Sequence, residues 1–356
     1  MRYHLSSLRA LQEADFDDII DVRSPAEFAE DHLPGAVNLP VLDNKERATV
    51  GTLYKQISPF EARQRGAAMI ARNAAHHIET HFMGKSGGYR PLVYCWRGGM
   101  RSGALATILE QIGWRVAVLD EGYKAYRRAV VDLLHPATSA PGALPWSFIL
   151  LDGNTGTAKT ALLHKLAVRG IQTLDLEGLA AHRGSLFGAT AHAQPSQKAF
   201  EGGIAQILTR FDVGLPVLVE AESSRIGRLS LPKALWAAMR AAPRLRLVSE
   251  PEARARYLVK AYGDIASDAQ ALCKLVDRLR PYQPDRRIKA WLDMAVQGDV
   301  ESLARELIEF HYDPKYGRQR SGSGHKVLEI VRLSDLGEPD LARATDHIFD
   351  RVTAMV

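Results

Sequence analysis

The sequence predicts an α/β protein in two parts. Each is a parallel sheet with flanking helices, and the second closes in a helical stretch. Three observations predict it. Up to about residue 134, short apolar runs alternate with helical patterns, the mark of a parallel sheet covered on its faces. A glycine-bearing turn at 153–160 joins a strand pattern to a helix pattern. Between the two lies a stretch holding Pro136, Pro141 and Pro145 among small residues, which is a linker composition. The expected division is 1–137, a linker at 138–146, and 147–356. A domain takes roughly 100–200 residues, so the length suits two.

In the first part DIIDVR (18–23), PLVYC (91–95) and VAVLD (116–120) read as buried strands. Residues 24–32, 61–82 and 102–113 read as helices. In the second part SFILLDG (147–153), QTLDL (172–176), PVLVEAE (216–222) and RLRLVSE (244–250) read as strands, and the helix starting at Lys159 ends at Gly170. From about residue 252 to 325 the chain turns mostly helical and basic.

Composition narrows the function classes. Apolar residues make up 46% and charged residues 24%, ordinary values for a folded soluble chain. No run approaches the ~18 apolar residues of a membrane span, so no membrane partner is expected. The first residues turn acidic where a secretory signal turns apolar, and Cys95 and Cys273 alone make neither a disulfide framework nor a four-thiolate zinc site. A cytoplasmic protein with no metal ligand set is the expectation. The net charge is +5, and residues 1–140 contribute little of it. Basic residues gather at Arg286, Arg287 and Lys289, and again at Lys315, Arg318 and Arg320. Such clusters draw a polyanion, or form a solvated helix face. Trp291, Tyr312 and Tyr316 beside them read either as core or as stacking surfaces for bases.

The first chemical constellation is CWRGGMRS. Cys95 ends a strand, and five residues separate it from Arg101. Gly98 and Gly99 give the backbone freedom to turn successive N–H groups inward, Arg97 and Arg101 add positive charge, and a helix starts at the same point. All three favour a thiolate over the thiol. Cys273, on the apolar stripe of ALCKLVDRL, reads as core.

The second constellation is Gly153, Asn154, Thr155, Gly156, Thr157, Ala158, Lys159 and Thr160. Amides of such a turn bind phosphate oxygens, and Lys159 supplies a point charge. Ala158 stands where the pattern asks for glycine. Glu220 and Glu222 are candidates for a magnesium-holding carboxylate. His182, Arg183 and Ser185, with Glu222, Ser223 and Arg225, are candidates for completing a site.

Residues 14–137 resemble the rhodanese family, on IIDVRSPAEFAEDHLPGAVNLP (19–40) and the Cys95 loop. That resemblance implies a chalcogen carried on Cys95. The Cys-x5-Arg spacing also leaves a phosphatase reading open. Taken with the phosphate loop, DLEGLAAHRGSLFG (175–188), QPSQKAFE (194–201), VEAESSRIG (219–227) and FHYDPKYGRQ (310–319), the whole chain resembles the tRNA 2-selenouridine synthase family. The expected fold is then a rhodanese-like domain followed by a P-loop NTPase-like domain.

The resemblance implies a tRNA substrate with 2-thiouridine at the wobble position, in lysine, glutamate and glutamine tRNAs. It also implies geranyl diphosphate and selenophosphate as co-substrates, no tightly bound cofactor, and an enzyme that supplies selenophosphate as a partner. The sulfur is geranylated first, and selenium then replaces the S-geranyl group, with Cys95 carrying it as a selenenyl sulfide. Whether magnesium assists stays open. The competing reading is a small-molecule kinase fused to a sulfurtransferase or cysteine phosphatase.

Overall fold

The computed structural model describes residues 1–184, 188, 192–315 and 326–355. They form two compact units, Met1–Pro136 with Pro195–Arg210, and Ala137–Gln194 with Phe211–Val356. The chain divides at Pro136, but residues 195–210 belong with the first unit, which the linear division does not anticipate. The reason is the helix Gln197–Leu208. It buries Phe200, Ile204, Ala205 and Leu208, ion-pairs Glu201 with Arg127 and sets Lys198 2.6 Å from Glu30. Gln12 donates to the Gln206 carbonyl at its far end.

The first unit is a five-stranded parallel sheet of β1 (Arg2–Tyr3), β2 (Asp18–Asp21), β3 (Ala36–Asn38), β4 (Pro91–Tyr94) and β5 (Ala117–Leu119), in the order β1-β5-β4-β2-β3. β4 lies in the middle and is buried throughout. The 61–82 pattern resolves into the helix Pro59–His77 and a π-turn at Ile78–Phe82. Its core joins Ile20, Val22, Val93, Leu105, Leu109 and Phe82.

The motif residues around β2 serve as struts. Arg23 is 1% exposed, and its guanidinium donates to the fully buried Asp21 at 2.6 Å and to the Asp31 carbonyl at 2.6 Å. The same guanidinium stacks 4.1 Å over the Tyr123 ring. Asn38 donates to the carbonyls of Asp21 and Arg23, tying β3 to the turn after β2. Arg23→Met leaves Asp21 charged, buried and unpaired, which costs ~3–5 kcal/mol. Urea unfolding checks this, and a loss under ~1 kcal/mol, as for a surface pair, contradicts it.

The second unit is also a parallel sheet, of β6 (Phe148–Gly153), β7 (Thr173–Leu174), β8 (Val217–Glu220), β11 (Arg244–Val248) and β12 (Val327–Arg332), in the order β12-β11-β6-β8-β7. Between β8 and β11 lies the hairpin β9 (Arg225–Ile226) and β10 (Leu229–Ser230). β7 is shorter than the expected 172–176 because the Asp175 carboxylate accepts from the Gly178 amide and starts the helix Leu176–Leu179. β12 is an edge strand the sequence reading missed. Its face alternates weakly, with only Val331 buried.

Beyond β11 the chain is helical to Tyr312, with a core of Leu272, Val276, Ile288, Leu303 and Trp291. Trp291 is fully buried and its indole donates to Glu306 at 2.8 Å, which fixes it as a core residue. Among the described residues no helix is long and apolar enough to cross a membrane.

Candidate active site: a thiol nest and a phosphate loop

β4 delivers Cys95 to the C-terminal edge of the first sheet, where open α/β sheets bind ligands. The residue is 3% exposed, while its loop neighbours Arg97, Gly99 and Met100 are exposed. Its sulfur does not face hydrocarbon alone. Sγ accepts from the Gly99 amide at 3.3 Å and the Ser102 hydroxyl at 3.2 Å. Gly98 has φ +63°, and a Cβ there would stand 2.5 Å from the Leu119 carbonyl oxygen, so only glycine fits. The helix Met100–Ile112 starts beside the sulfur and adds its dipole.

Burial alone would push the Cys95 thiol up. The Ser102 hydroxyl, the Ser102 and Arg97 amides and the Arg101 charge outweigh it, and the net result is a lowered pKa. Thiolate absorbance of Cys95, taken as the difference from Cys95→Ala, is expected to appear below the ordinary thiol midpoint near ~8.5. Ser102→Ala is expected to move that midpoint upward. An unchanged midpoint contradicts the role given to the hydroxyl, which the sequence reading did not single out.

Arg97 and Arg101 do not act alike. Arg101 makes a two-point pair with Glu27, at 2.7 and 3.3 Å, and is largely committed to it. Burial would raise the Glu27 pKa, but the paired Arg101 dominates with its neighbours and brings it down to about 2. Arg101 therefore reaches Cys95 only as a nearby charge, and Arg97 is the exposed cation of the loop.

In the second unit β6 runs into the phosphate loop and the helix Lys159–Val168. Ala158 caps this helix in the left-handed region, φ 58° and ψ 29°. An L-residue there costs about 1–2 kcal/mol, which is why the pattern asks for glycine. The residue is buried in the core cluster with Leu162 and Leu163. Lys159 Nζ donates to the Gly153 carbonyl at 3.0 Å, closing the loop on itself.

A cavity of about 840 Å³ opens at this loop. Thr155, Gly156, Thr157, Lys159 and Thr160 line it, together with Arg183, Glu222, Ser223 and Lys315. Trp236, Met239, Leu258 and Tyr262 give it an apolar side. Gly153 and Asn154 do not line it. Asn154 instead donates to Asp313 at 2.8 Å. Asp313 also holds the 2%-exposed Arg254 at 2.9 and 2.7 Å, and Arg254 reaches the Thr155 carbonyl at 3.3 Å. This brace on the loop spans 59 residues of sequence and carries no local motif.

Three carboxylates sit at the foot of the cavity. Glu220 ends β8, beside β6, and Glu177 and Glu222 bring their oxygens within 4.8 Å of it and of each other. Burial and the neighbouring negative charges hold Glu177 well above the usual carboxylate range, with Lys159 opposing. Burial likewise raises Glu220 and Glu222.

Other expected site residues fall differently. His182 accepts from the Gly184 amide at 3.1 Å, and burial lowers its pKa. Arg183 stacks 4.6 Å over the Tyr262 ring. Arg225 is exposed on β9 and is not part of the cavity wall, and the Ser223 hydroxyl bonds the Arg225 carbonyl in a local turn. Arg286 and Lys289 are exposed. Arg287 is half-buried, donating to Gln283 at 2.9 Å and stacking 4.2 Å over Phe310. Lys315 is exposed, lies on the cavity wall and sits 3.0 Å from His311. Tyr312 lines the same cavity. Ser185, Tyr316, Arg318 and Arg320 lie outside the described residues.

Comparison with known proteins now bears on these two sites. A family profile described as "Rhodanese-like domain" matches residues 4–129, which include Cys95. One described as "tRNA 2-selenouridine synthase AAA domain" matches residues 146–281, which include the loop and the three glutamates. A tRNA 2-selenouridine synthase of Marinobacter nauticus is 32% identical, over 87% of this chain and 90% of the relative. One of Verminephrobacter eiseniae is 34% identical, over 87% and 91%.

The chain belongs to the tRNA 2-selenouridine synthase family.

A further relative of that name, from Cupriavidus pinatubonensis, is 31% identical over 87% of this chain and 90% of its own length. The family's two profiles meet this chain at the two sites its structure builds. The second profile also runs through Pro195–Arg210, which pack with the first unit.

Proposed function

We propose that this chain converts 2-thiouridine at the wobble position of tRNA to 2-selenouridine in two steps. In the first, the phosphate loop binds the diphosphate of geranyl diphosphate, and the base sulfur attacks the geranyl carbon as diphosphate leaves. Loop amides and Lys159 meet the charge that develops on the leaving group. The apolar side formed by Trp236, Met239, Leu258 and Tyr262 suits the geranyl chain. One cavity that joins the Lys159 loop to an apolar wall is the observation that carries this step.

In the second step, selenium passes from selenophosphate through Cys95. The thiolate forms an S–Se bond as the Se–P bond breaks, and phosphorus leaves with the electron pair as phosphite. The Cys95-bound selenium attacks C2 of the base and expels geranyl thiolate. A second thiol then reduces the remaining Se–S bond, freeing selenouridine and leaving a disulfide on Cys95. The Gly99 amide and Ser102 hydroxyl that hold the sulfur support this reading. The exposed Arg286 and Lys289 suit RNA phosphates, and lysine, glutamine and glutamate tRNAs in the cytoplasm are the proposed substrates.

The test is nucleoside mass analysis of 2-thiouridine tRNA incubated with the protein. Geranyl diphosphate alone should yield the S-geranyl nucleoside, and later addition of selenophosphate and a thiol should yield 2-selenouridine. A requirement for ATP in the first stage would favour a kinase instead.

A further inference from the structure

We infer that a second, apolar cavity beside the phosphate loop receives the far end of a hydrocarbon chain, so that the loop's ligand is an alkyl diphosphate and not a nucleotide. This slot measures about 80 Å³. It shares Thr155, Leu258, Tyr262 and Tyr312 with the larger cavity at the loop, and the two adjoin across these residues.

The remaining walls are helical. On the helix Val300–Leu307, Val300, Leu303, Ala304 and Leu307 recur at positions i, i+3, i+4 and i+7, and all four line the slot. Leu272 joins them from the helix Ala269–Asp277. Leu272, Leu303 and Leu307 are buried members of the helical core, which holds these walls in place.

Two properties select the occupant. Apart from Thr155 and the two tyrosines, every lining side chain is aliphatic. A nucleobase buried there would leave ring nitrogens and exocyclic groups short of partners, which is costly. Size points the same way. An apolar cavity of about 150 Å³ holds one benzene ring, so a slot about half as large excludes a purine and takes a chain end of about three carbons. The chain between that end and the diphosphate runs along Leu258 and Tyr262, which face both cavities. The head group rests on the diphosphate reading of the loop proposed above, and the slot defines what the ligand carries beyond it.

Isothermal titration of the full chain with geranyl diphosphate and with methyl diphosphate reads the contribution of the tail. Each methylene taken out of water multiplies affinity by roughly fourfold, so three give about 60-fold. Geranyl diphosphate should bind more tightly by at least that factor. Ala304→Phe places a ring where the chain end sits and should remove most of the preference, with methyl diphosphate binding retained as the sign of an intact loop and fold. Ala266→Phe, on the helix Gly263–Ala266, should do the same. Equal affinities for the two ligands in the wild type overturn the slot. A preference that survives both substitutions overturns it as well and leaves the geranylation reading standing. ATP that binds the wild type and is excluded by either substitution overturns the alkyl assignment. Loss of the preference in both variants, in a protein whose wild type does not geranylate tRNA, supports the slot and refutes the geranylation reading alone.

Discussion

Cys95→Ala is expected to halt the reaction at the S-geranyl nucleoside. Selenation should fall by at least about 10³-fold, as expected when a covalent nucleophile is removed. Geranylation should continue, because it uses the other unit's loop. The expectation follows from how the thiol is held. Cys95 gains hydrogen bonds from the Gly99 amide and the Ser102 hydroxyl, and the Arg101 charge lies close by. Those groups stabilise negative charge on sulfur, and they suit a negative selenium attached to it equally well. Cys95→Ser separates the two contributions. It restores a donor and acceptor of similar shape but not a chalcogen able to accept selenium, so it should fail as completely as alanine. Nucleoside mass analysis reads both steps in one digest. Selenouridine formed by either variant at near wild-type rate would remove Cys95 from the selenium path.

Lys159→Ala is expected to block the earlier step, lowering geranylation by about 10²–10³-fold, the usual loss when one preorganised donor to a developing anion is removed. With synthetic S-geranyl tRNA supplied, the variant should still form selenouridine. Lys159 is also the cation that pulls the Glu177, Glu220 and Glu222 pKa values down. Its loss leaves the carboxylates more protonated at neutral pH, so the fold must be checked by circular dichroism in the same preparation. A Lys159→Ala protein that geranylates normally would place the diphosphate elsewhere.

What could be read in advance was whatever lies contiguous in the chain. The Cys95 nest and the phosphate loop are each built from eight consecutive residues, so strand, turn and helix signals overlap the chemical ones. What could not be read depends on residues brought together from afar. Arg254 and Asp313 brace the loop from 59 positions apart. Glu177 joins Glu220 and Glu222 only because β7 and β8 pair side by side. The helix Gln197–Leu208 follows the phosphate loop in sequence yet packs with the first unit through Arg127 and Glu30, partners whose identity no local pattern gives.

Charge in a motif also does not say which partner it meets. Arg101 sits at the expected spacing but is bound by Glu27, whose own helix cap places it there. Arg287 and Lys315 belong to basic stretches, yet one stacks on Phe310 and the other turns to His311. Ala158 is the opposite case. The departure from glycine is visible in the sequence, and the structure shows how it is met, by a left-handed alanine whose methyl joins the core.

The most direct measurement is the mass of the Cys95 peptide after the full-length protein meets selenophosphate without tRNA. The account predicts a selenium atom bound to Cys95 and absent from Cys273, discharged when S-geranyl tRNA and a thiol are added. An unmodified Cys95, in a preparation that goes on to selenate tRNA, would contradict it.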